Sequence, residues 1–400
     1  MSSIPRTTLA FAFALSVLAT LGGWTRTAHA DGASGTWSGL AEARGNYYWE
    51  RSTRVVSPGL ELSLESPTGV RVGGHYAVDS ITSASQATGV VEDVSFTEVR
   101  HEGSLRGGYE FDLGDAKLAL NADFRVSREP DYVSLGGGLT AAISLDDRST
   151  VLRFGVHVLR DSISQVLRDG AGVRPLPDGT TTADVFNEAF SALAFDVAWE
   201  QLLAPWAFFQ LSYQYGYLDG YLANAYRMVA VVGSLRPENH PDTRHRHTAT
   251  GRLALHANRT GSSLHLIYRA YIDSWDIAAI TPEVRIYQEL SRNVTLRVRW
   301  RHYRQRRSFF YEEQYADALP EDAPVTADPK MSTFHSNLLG FQLLVGLGFL
   351  EESKLDFLGR ASIDLTFESA GNTIRFGIGV ISQLVLRAPF GVPACASRVR

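Results

Sequence analysis

The stretch NVTLRVRWRH, residues 293–302, places two kinds of side chain on opposite faces of an extended chain. From Val294 to Trp300 every second residue is apolar, and the positions between them include Arg297, Arg299 and Arg301. Successive side chains of a β-strand point to opposite faces, so this strand has an apolar face and a cationic face. A soluble sandwich would bury the apolar face in a shared core, whereas a membrane barrel would turn it toward lipid and the arginines toward its lumen.

The same two-residue period recurs along most of the chain, and helical spacing is nearly absent. Segments of about ten residues with this alternation are typical of membrane barrels. Beyond residue 30 no run approaches the roughly 18 consecutive apolar residues of a spanning helix, so a membrane would be crossed by strands. The alternating segments lie at 117–127, 133–145, 152–158, 193–199, 209–217, 249–257, 264–272, 284–290, 339–349, 355–367 and 374–380.

The connections between these segments alternate in length, as they do in barrels with short periplasmic turns and longer external loops. Short turns lie at 66–69, 113–115, 146–149, 204–205, 259–261, 291–293 and 351–354, and longer links at 82–93, 164–187, 220–244 and 308–331. A further strand near 37–49 is needed to start the chain in the periplasm. The sequence therefore predicts an all-β fold, a transmembrane antiparallel up-and-down β-barrel of about 16 strands, with 14 or 18 as open alternatives.

The N-terminus has the features of a secretory signal peptide. Arg6 precedes the apolar run LAFAFALSVLATLGG (9–23), and Ala28-His29-Ala30 matches the small-x-small cleavage pattern before Asp31. We therefore expect a signal peptide at 1–30, a barrel at 31–390 and a C-terminal tail at 391–400, with export to the outer membrane. The single cysteine, Cys395, provides neither an internal disulfide nor a lipidated N-terminus.

The net charge argues against one class of partner. The full chain carries a formal charge of -5, and the segment after residue 30 has 36 basic against 43 acidic residues. A nucleic-acid partner is not expected from this balance. The expected partners are outer-membrane lipid, the barrel-assembly machinery and possible small solutes, and the oligomeric state is left open.

Charged and polar side chains on the inward faces of four consecutive segments form the candidate lumen wall. Acids and arginines at neighbouring strand positions can pair, which lowers the cost of holding charge away from bulk water. The wall is interpreted either as an ion-selective or substrate-binding surface or as a structural charge network. Its candidates are Arg252, His256, His265, Arg269, Asp273, Glu283, Arg285, Glu289, Arg297, Arg299 and Arg301.

The sequence predicts neither an enzyme nor a cofactor. The stretch RPENHPDTRHRH (236–247) holds His240, Asp242, His245 and His247, but their spacing is not a standard ligand pattern, so no metal is expected. His101, placed on the lipid face, lies between Arg100 and Glu102, and the chain has no Gly-x-Ser-x-Gly elbow.

Six stretches resemble, in the same order, a family of uncharacterised bacterial outer-membrane β-barrel proteins, a domain-of-unknown-function family. They are DSITSAS (79–85), SREPDYVS (127–134), GYLANAYRMV (220–229), RHRH (244–247), YRAYIDSWDI (268–277) and RHYRQRRSFFYEEQY (301–315). The resemblance covers about 47–390 and implies a barrel in the outer membrane, without an activity. Phe390 would suit the terminal aromatic that assembly machinery recognises, but ten residues follow it.

The predicted function is a passive or weakly selective channel for small solutes. The alternative is a structural barrel with a plugged lumen that displays its long external loops to a partner. A barrel enzyme is a third and least favoured class, since no nucleophile, base and oxyanion arrangement can be traced in the sequence.

Overall fold

A computed structural model describes residues 37–50, 53–84, 95–145, 149–164, 167–168, 173–174, 186–225, 227–353, 355–373 and 378–391. The predicted signal peptide, with Ala28, Ala30 and Asp31, and residues 392–400 of the predicted tail lie outside these ranges. No helix within the described residues is long and apolar enough to cross a bilayer.

Sixteen of the described strands close into one antiparallel barrel, which confirms the predicted fold and strand number. In chain order the strands are β1 (Ser38–Trp49), β2 (Thr53–Glu65), β3 (Val70–Ala84), β4 (Ser95–Asp112), β5 (Ala116–Arg128), β6 (Tyr132–Leu145), β7 (Thr150–Ser164), β8 (Leu167–Arg168), β9 (Val173–Arg174), β10 (Asn187–Ala204), β11 (Ala207–Gly220), β12 (Met228–Val231), β13 (Ser234–Pro237), β14 (Thr243–Ala257), β15 (Ser262–Asp273), β16 (Ala278–Ser291), β17 (Val294–Gln305), β18 (Phe334–Gly346), β19 (Ser362–Asn372) and β20 (Ile378–Phe390). The pairs β8–β9 and β12–β13 form two small hairpins outside the barrel.

The barrel closes where its first and last strands meet. β1 pairs with β20 from Gly39 opposite Phe390 to Trp49 opposite Val380. Closure leaves no open sheet edge, and an open edge would expose unpaired backbone groups to hydrocarbon. Phe390 is therefore the last residue of the closing strand, ten positions before the end of the sequence.

Two strand boundaries near the C-terminus differ from the sequence-based expectation. The link after β18 is longer than the predicted turn and contains two short 3-10 helices, Gly348–Leu350 and Asp356–Leu358. β19 therefore begins at Ser362 rather than Leu355. Of the predicted segment 374–380, residues 374–377 lie outside the described residues, and β20 begins at Ile378. Apolar residues that alternate over a few positions fit a strand and a pair of tight turns equally well, and here the turns form through local backbone bonds.

Each strand pairing keeps one set of side chains outside and the other inside around the whole circuit. Large apolar side chains on the outer face remain strongly exposed, including Leu105 at 67%, Leu139 at 66% and Phe124 at 54%. A water-soluble protein rarely leaves such a continuous apolar wall uncovered. The outer wall is therefore the lipid-facing surface of an outer-membrane barrel, and the inner wall carries most of the charge.

The two ends of the barrel differ in their connections. Links at 66–69, 113–115, 205–206, 258–261 and 292–293 are short, and the first begins with Ser66 hydrogen-bonded to Val70 at 2.8 Å and turns at Gly69, whose φ is +86°. The opposite end carries the links 165–186, 221–242 and 306–333. Since periplasmic turns are short and external loops long, the latter end is external, and β1 begins and β20 ends at the periplasmic end.

Candidate functional site

The inner wall contains a ladder of arginines and glutamates on β16, β17 and β19. Arg299 Nη2 donates to Glu283 Oε2 at 2.9 Å, and its Nη1 donates to Glu368 Oε1 at 2.9 Å. Arg297 Nη2 reaches Glu368 Oε1 at 3.3 Å, and Arg285 bonds to Glu283. The structure thus brings together four charged residues that the sequence analysis placed on one wall. It also adds Glu368, which the sequence analysis did not identify.

A glycine makes this ladder possible. Gly340 on β18 lies opposite Arg299 on one side and Glu368 on the other. A β-carbon at this position would come within 2.8 Å of Glu368 Cγ. Without that carbon, Arg299 and Glu368 can meet although a whole strand separates them.

Asp273, a candidate lumen residue, has a different role from the one expected. Its Oδ2 accepts from Arg244 Nε at 2.9 Å, and its Oδ1 accepts from the backbone N–H groups of Trp275 and Ile277, each at 3.0 Å. Its side chain is fully buried. Asp273 thus anchors the external link after β15 and is not available to a solute.

The remaining candidates lie at separate places on the inner wall. Arg252 Nη2 is 3.3 Å from His265 Nδ1, and His256 Nδ1 is 2.8 Å from Ser263 Oγ. Glu289 lies beside the periplasmic turn at Gly261. Their part in conduction stays a prediction.

A cavity of about 940 Å³ lies at the external mouth of the lumen. Carboxylates from the β4–β7 side line it, with oxygens of Glu98, Glu129 and Asp131 all within 4.8 Å of one another. Arg246 and Arg269, from β14 and β15, line another part of it. The cavity therefore presents anionic and cationic groups from different strands, and residues 223–225 of an external link contribute to its boundary. Sequence periodicity did not identify the three carboxylates as a group because two of them lie in a link between strands.

Two external links, 221–242 and 306–333, pack together into one structure, here called the cap. Val229 and Val325 are 0% exposed and form its apolar centre with Val231 and Ala327. Backbone bonds join the links, including Val325 N–H to Asn239 O at 2.7 Å. External loops with their own buried core are held in one arrangement rather than sampling many.

A buried ion cluster crosses the centre of the cap. Glu238 lies 3.4 Å from Arg227 and 3.3 Å from His240, and it accepts a hydrogen bond from Thr326. Arg227 also pairs with Asp328 at 2.6 Å. Burial would raise the pKa of Glu238, but the nearby imidazole of His240, the charge of Arg227 and the hydrogen bond from Thr326 outweigh it, and the pKa is lowered.

Trp275 attaches the cap to the barrel rim. The Arg244 guanidinium lies 4.0 Å from its ring centroid, and its indole Nε1–H donates to Thr243 O at 3.0 Å. His240 and Phe310, one from each cap segment, pack against the same ring with centroids at 5.1 and 5.2 Å. The buried ring, which belongs to the link after β15, therefore contacts β14 and both segments of the cap.

The histidines considered as metal ligands do not converge. His240 lies inside the cap, whereas His245 and His247 face outward and bond Tyr215 and Tyr213 at 2.8 and 2.7 Å. The outward position of His101, 2.8 Å from Tyr76 Oη, agrees with its placement on the lipid face.

The described parts of the six stretches that carry the family resemblance lie in the external half of the molecule. Five of the stretches, all except 79–85, supply the cap, the Trp275 anchor and much of the cavity wall. The positions are 79–85, 127–134, 220–229, 244–247, 268–277 and 301–315.

Comparison with known proteins identified a family but no activity. A family model described as "Protein of unknown function (DUF3570)" matches residues 23–357. A search of curated proteins found no match to this sequence.

Several solved outer-membrane structures are similar to this chain at low identity. OccD3 (OpdP) of Pseudomonas aeruginosa shares 10% identity over 90% of this chain and 93% of its own, with a TM-score of 0.38. A BenF-like porin from Pseudomonas fluorescens Pf-5 shares 10% over 88% and 98%, with a TM-score of 0.36. A bacterial polysaccharide outer membrane secretin shares 10% over 88% and 98%, with a TM-score of 0.44. At 10% identity and TM-scores below 0.5, these similarities carry no information about a solute.

Proposed function

The chain belongs to the DUF3570 family of proteins of unknown function, and from the architecture of its barrel we propose that it is a passive or weakly selective outer-membrane channel for small solutes. The observation that carries this proposal is the closed barrel of sixteen strands with a charged inner wall. Barrels of about this size enclose a water-filled lumen unless a loop or domain plugs it. The cavity at the external mouth supports a route for polar solutes.

Export and assembly belong to the same proposal. The N-terminal 30 residues are removed as a signal peptide after Ala30, residues 31–390 form the inserted barrel, and 391–400 are a tail. The barrel-assembly machinery inserts the chain, with β20 and its final Phe390 as the closing strand. Mass measurement of the protein purified from outer membranes tests the cleavage site, because a mature chain must begin at Asp31.

Charge pairing narrows the residues that could select ions. Arg299 and Arg297 share the carboxylates of Glu283 and Glu368, so their charges are largely compensated within the wall. Arg269 and Arg301 are two of five inward-facing arginines of the barrel strands, with Arg71, Arg246 and Arg252, that form no ion pair with another described residue. These two arginines supply a weak preference for anions, because an uncompensated cation in a narrow passage raises the local concentration of anions.

The second candidate function is a structural barrel closed by its cap, and the buried core of the cap favours it. Single-channel recording of the refolded protein in planar bilayers separates the two functions. Discrete current steps support the channel, whereas a folded, heat-modifiable barrel without current above the lipid background supports the closed structural role. A variant with the cap anchor removed, Trp275→Ala, serves as a second test, since a barrel plugged only by the cap gains current when the cap detaches.

A further inference from the structure

Charged side chains on the lipid-facing wall are confined to its external edge. In the described strands, the arginines that face outward are Arg54, Arg128, Arg160 and Arg304, and each lies within five residues of the external end of its strand. The periplasmic half of the same wall carries no Asp, Glu, Lys or Arg side chain in these strands.

These outward arginines are exposed and form no ion pair with any other described residue. Arginines of the neighbouring strands that face inward are paired, for example Arg125 with Glu102 at 2.5 Å and Arg153 with Glu200 at 2.9 Å. One acid, Asp219, faces outward near this edge, and it accepts a hydrogen bond from Tyr217. The outward cations therefore lack a protein anion at the external edge of the lipid-facing wall.

Two of these arginines lie close together beside a histidine. Arg128 on β5 is the register partner of His101 on β4. Arg160 lies on β7, two strands from β5 and so roughly 10 Å across the sheet, and it is offset from Arg128 by two residues. Tyr76 Oη is 2.8 Å from His101 Nδ1, and when Tyr76 donates this bond the imidazole carries its proton on Nε2. We call Tyr76, His101, Arg128 and Arg160 the external cationic patch.

The surface below the patch is strongly apolar. Leu135 is the register partner of Arg160, and Leu105 pairs with Phe124 one strand pair away. Their side chains are 46%, 67% and 54% exposed, respectively. A molecule bound here would meet hydrogen-bond donors and positive charge at the membrane surface and apolar side chains immediately beneath. A lipid with a phosphate in its headgroup has groups complementary to both, in the same order.

We propose that the external cationic patch binds the phosphate group of an outer-leaflet lipid whose acyl chains lie along Leu105, Phe124 and Leu135. Guanidinium groups bind phosphate with charge-assisted, frequently bidentate hydrogen bonds. Positive side chains beside a membrane surface each add about 1 kcal/mol to the binding of anionic lipid. The site is on the outside of the barrel, so it does not depend on whether the lumen conducts.

Native mass spectrometry of the folded protein in detergent tests this site with diphosphorylated lipid A as the probe. Lipid A with both phosphates removed and the same acyl chains tests the need for phosphate, and inorganic phosphate tests the need for a lipid. The variant Arg128→Gln/Arg160→Gln removes the patch. The matched control Arg54→Gln/Arg304→Gln removes two outward arginines elsewhere on the same edge, and Arg128→Lys/Arg160→Lys keeps the charge. Heat-modifiable migration confirms that each variant is folded.

The proposal requires that wild-type protein retains the phosphorylated lipid and releases the dephosphorylated one. The patch variant should bind roughly 30-fold more weakly, while the control variant stays within about threefold of wild type. The lysine variant should fall between the two, because it keeps the charge but not the bidentate guanidinium geometry. Equal retention of dephosphorylated lipid, an equal loss in the control variant, or complete displacement of the lipid by millimolar inorganic phosphate would each overturn it.

Discussion

Arg299 and Glu368 meet across an intervening strand, with their hydrogen-bonding atoms 2.9 Å apart over Gly340. This contact depends on the sequence alternation, on the strand register and on the absence of a side chain at Gly340. The sequence alternation turns both side chains inward, the register aligns them, and the missing side chain of β18 lets them touch. The inner wall is thus a connected network in which several charges compensate one another.

Filling the space above Gly340 should break the ladder. In Gly340→Val the new side chain would occupy the position between Arg299 and Glu368, so both charges would lose a hydrogen-bonded partner, at a cost of about 1–3 kcal/mol. Urea unfolding of the detergent-solubilised barrel, followed by tryptophan fluorescence, measures this loss. Gly371→Val is the control, since a β-carbon at Gly371 meets nothing within 4 Å. Equal stability of the two variants would show that the ladder does not stabilise the barrel.

The buried cluster of the cap should make the cap sensitive to acid. The pKa of Glu238 is lowered below its ordinary 4.5, so the stabilisation from its ionised form is fully present above that value and is lost as the pH falls through the lowered value. Protease cleavage within the cap, measured with an acid-active protease at low pH and with trypsin at neutral pH, should therefore rise in the acidic range below 4.5.

The variant Glu238→Gln should abolish most of this pH dependence and admit protease at neutral pH, because an amide removes one of the two anionic partners of Arg227 and leaves it paired with Asp328 alone. Glu312→Gln is the matched control, because its ion pair with Arg307 is half exposed and such pairs contribute little. A cap that resists cleavage equally at neutral and acidic pH would contradict the role given to Glu238.

Trp275 should be the main attachment of the cap to the rim. Its side chain is 2% exposed, and truncation of a buried tryptophan costs about 3–5 kcal/mol in typical cores. In Trp275→Ala the two cap segments should become accessible to protease while the barrel remains heat-modifiable. The control Trp206→Ala changes a side chain that is 57% exposed near a periplasmic turn. Loss of the whole barrel in Trp275→Ala, rather than of the cap alone, would show that the anchor supports the fold itself.

Ion selectivity should depend on Arg269 and Arg301, two of the lumen arginines that form no ion pair with a described residue. In Arg269→Gln/Arg301→Gln the reversal potential under a salt gradient should shift toward cation preference, since two uncompensated positive charges leave the passage. Arg128→Gln/Arg160→Gln makes the same change of net charge on the lipid side and should leave the reversal potential unchanged. Identical shifts in both variants would assign the effect to overall charge and not to the lumen.

The barrel could be predicted from the sequence because the alternation of apolar and polar side chains is visible within each strand. A strand that separates lipid from lumen must alternate, and NVTLRVRWRH shows this within ten residues. Link lengths then gave the direction of each strand and the strand number. The boundaries near Leu355 were wrong because a few alternating apolar residues also fit a 3-10 turn.

The cap could not be predicted in this way, since its contacts join residues far apart in the chain without any period. Arg236 Nη2 donates to Ala323 O at 2.9 Å, and Glu238 meets Thr326, although more than 80 positions separate each pair. Asp273 was placed in the lumen wall, but its position just before the turn residues Ser274 and Trp275 is one where an aspartate caps backbone N–H groups. That turn signal was present in the sequence and was outweighed by the strand pattern.

Cysteine accessibility on β17 tests most directly whether the two faces of the strand meet different surroundings. In a Cys395→Ser background, Thr295→Cys places a thiol on the inner face and Val298→Cys places one on the outer face of the same strand. For the protein reconstituted in lipid vesicles, a charged, membrane-impermeant thiol reagent should modify the first and spare the second. Modification of the thiol at position 298 with protection at position 295 would contradict a water-filled barrel surrounded by lipid.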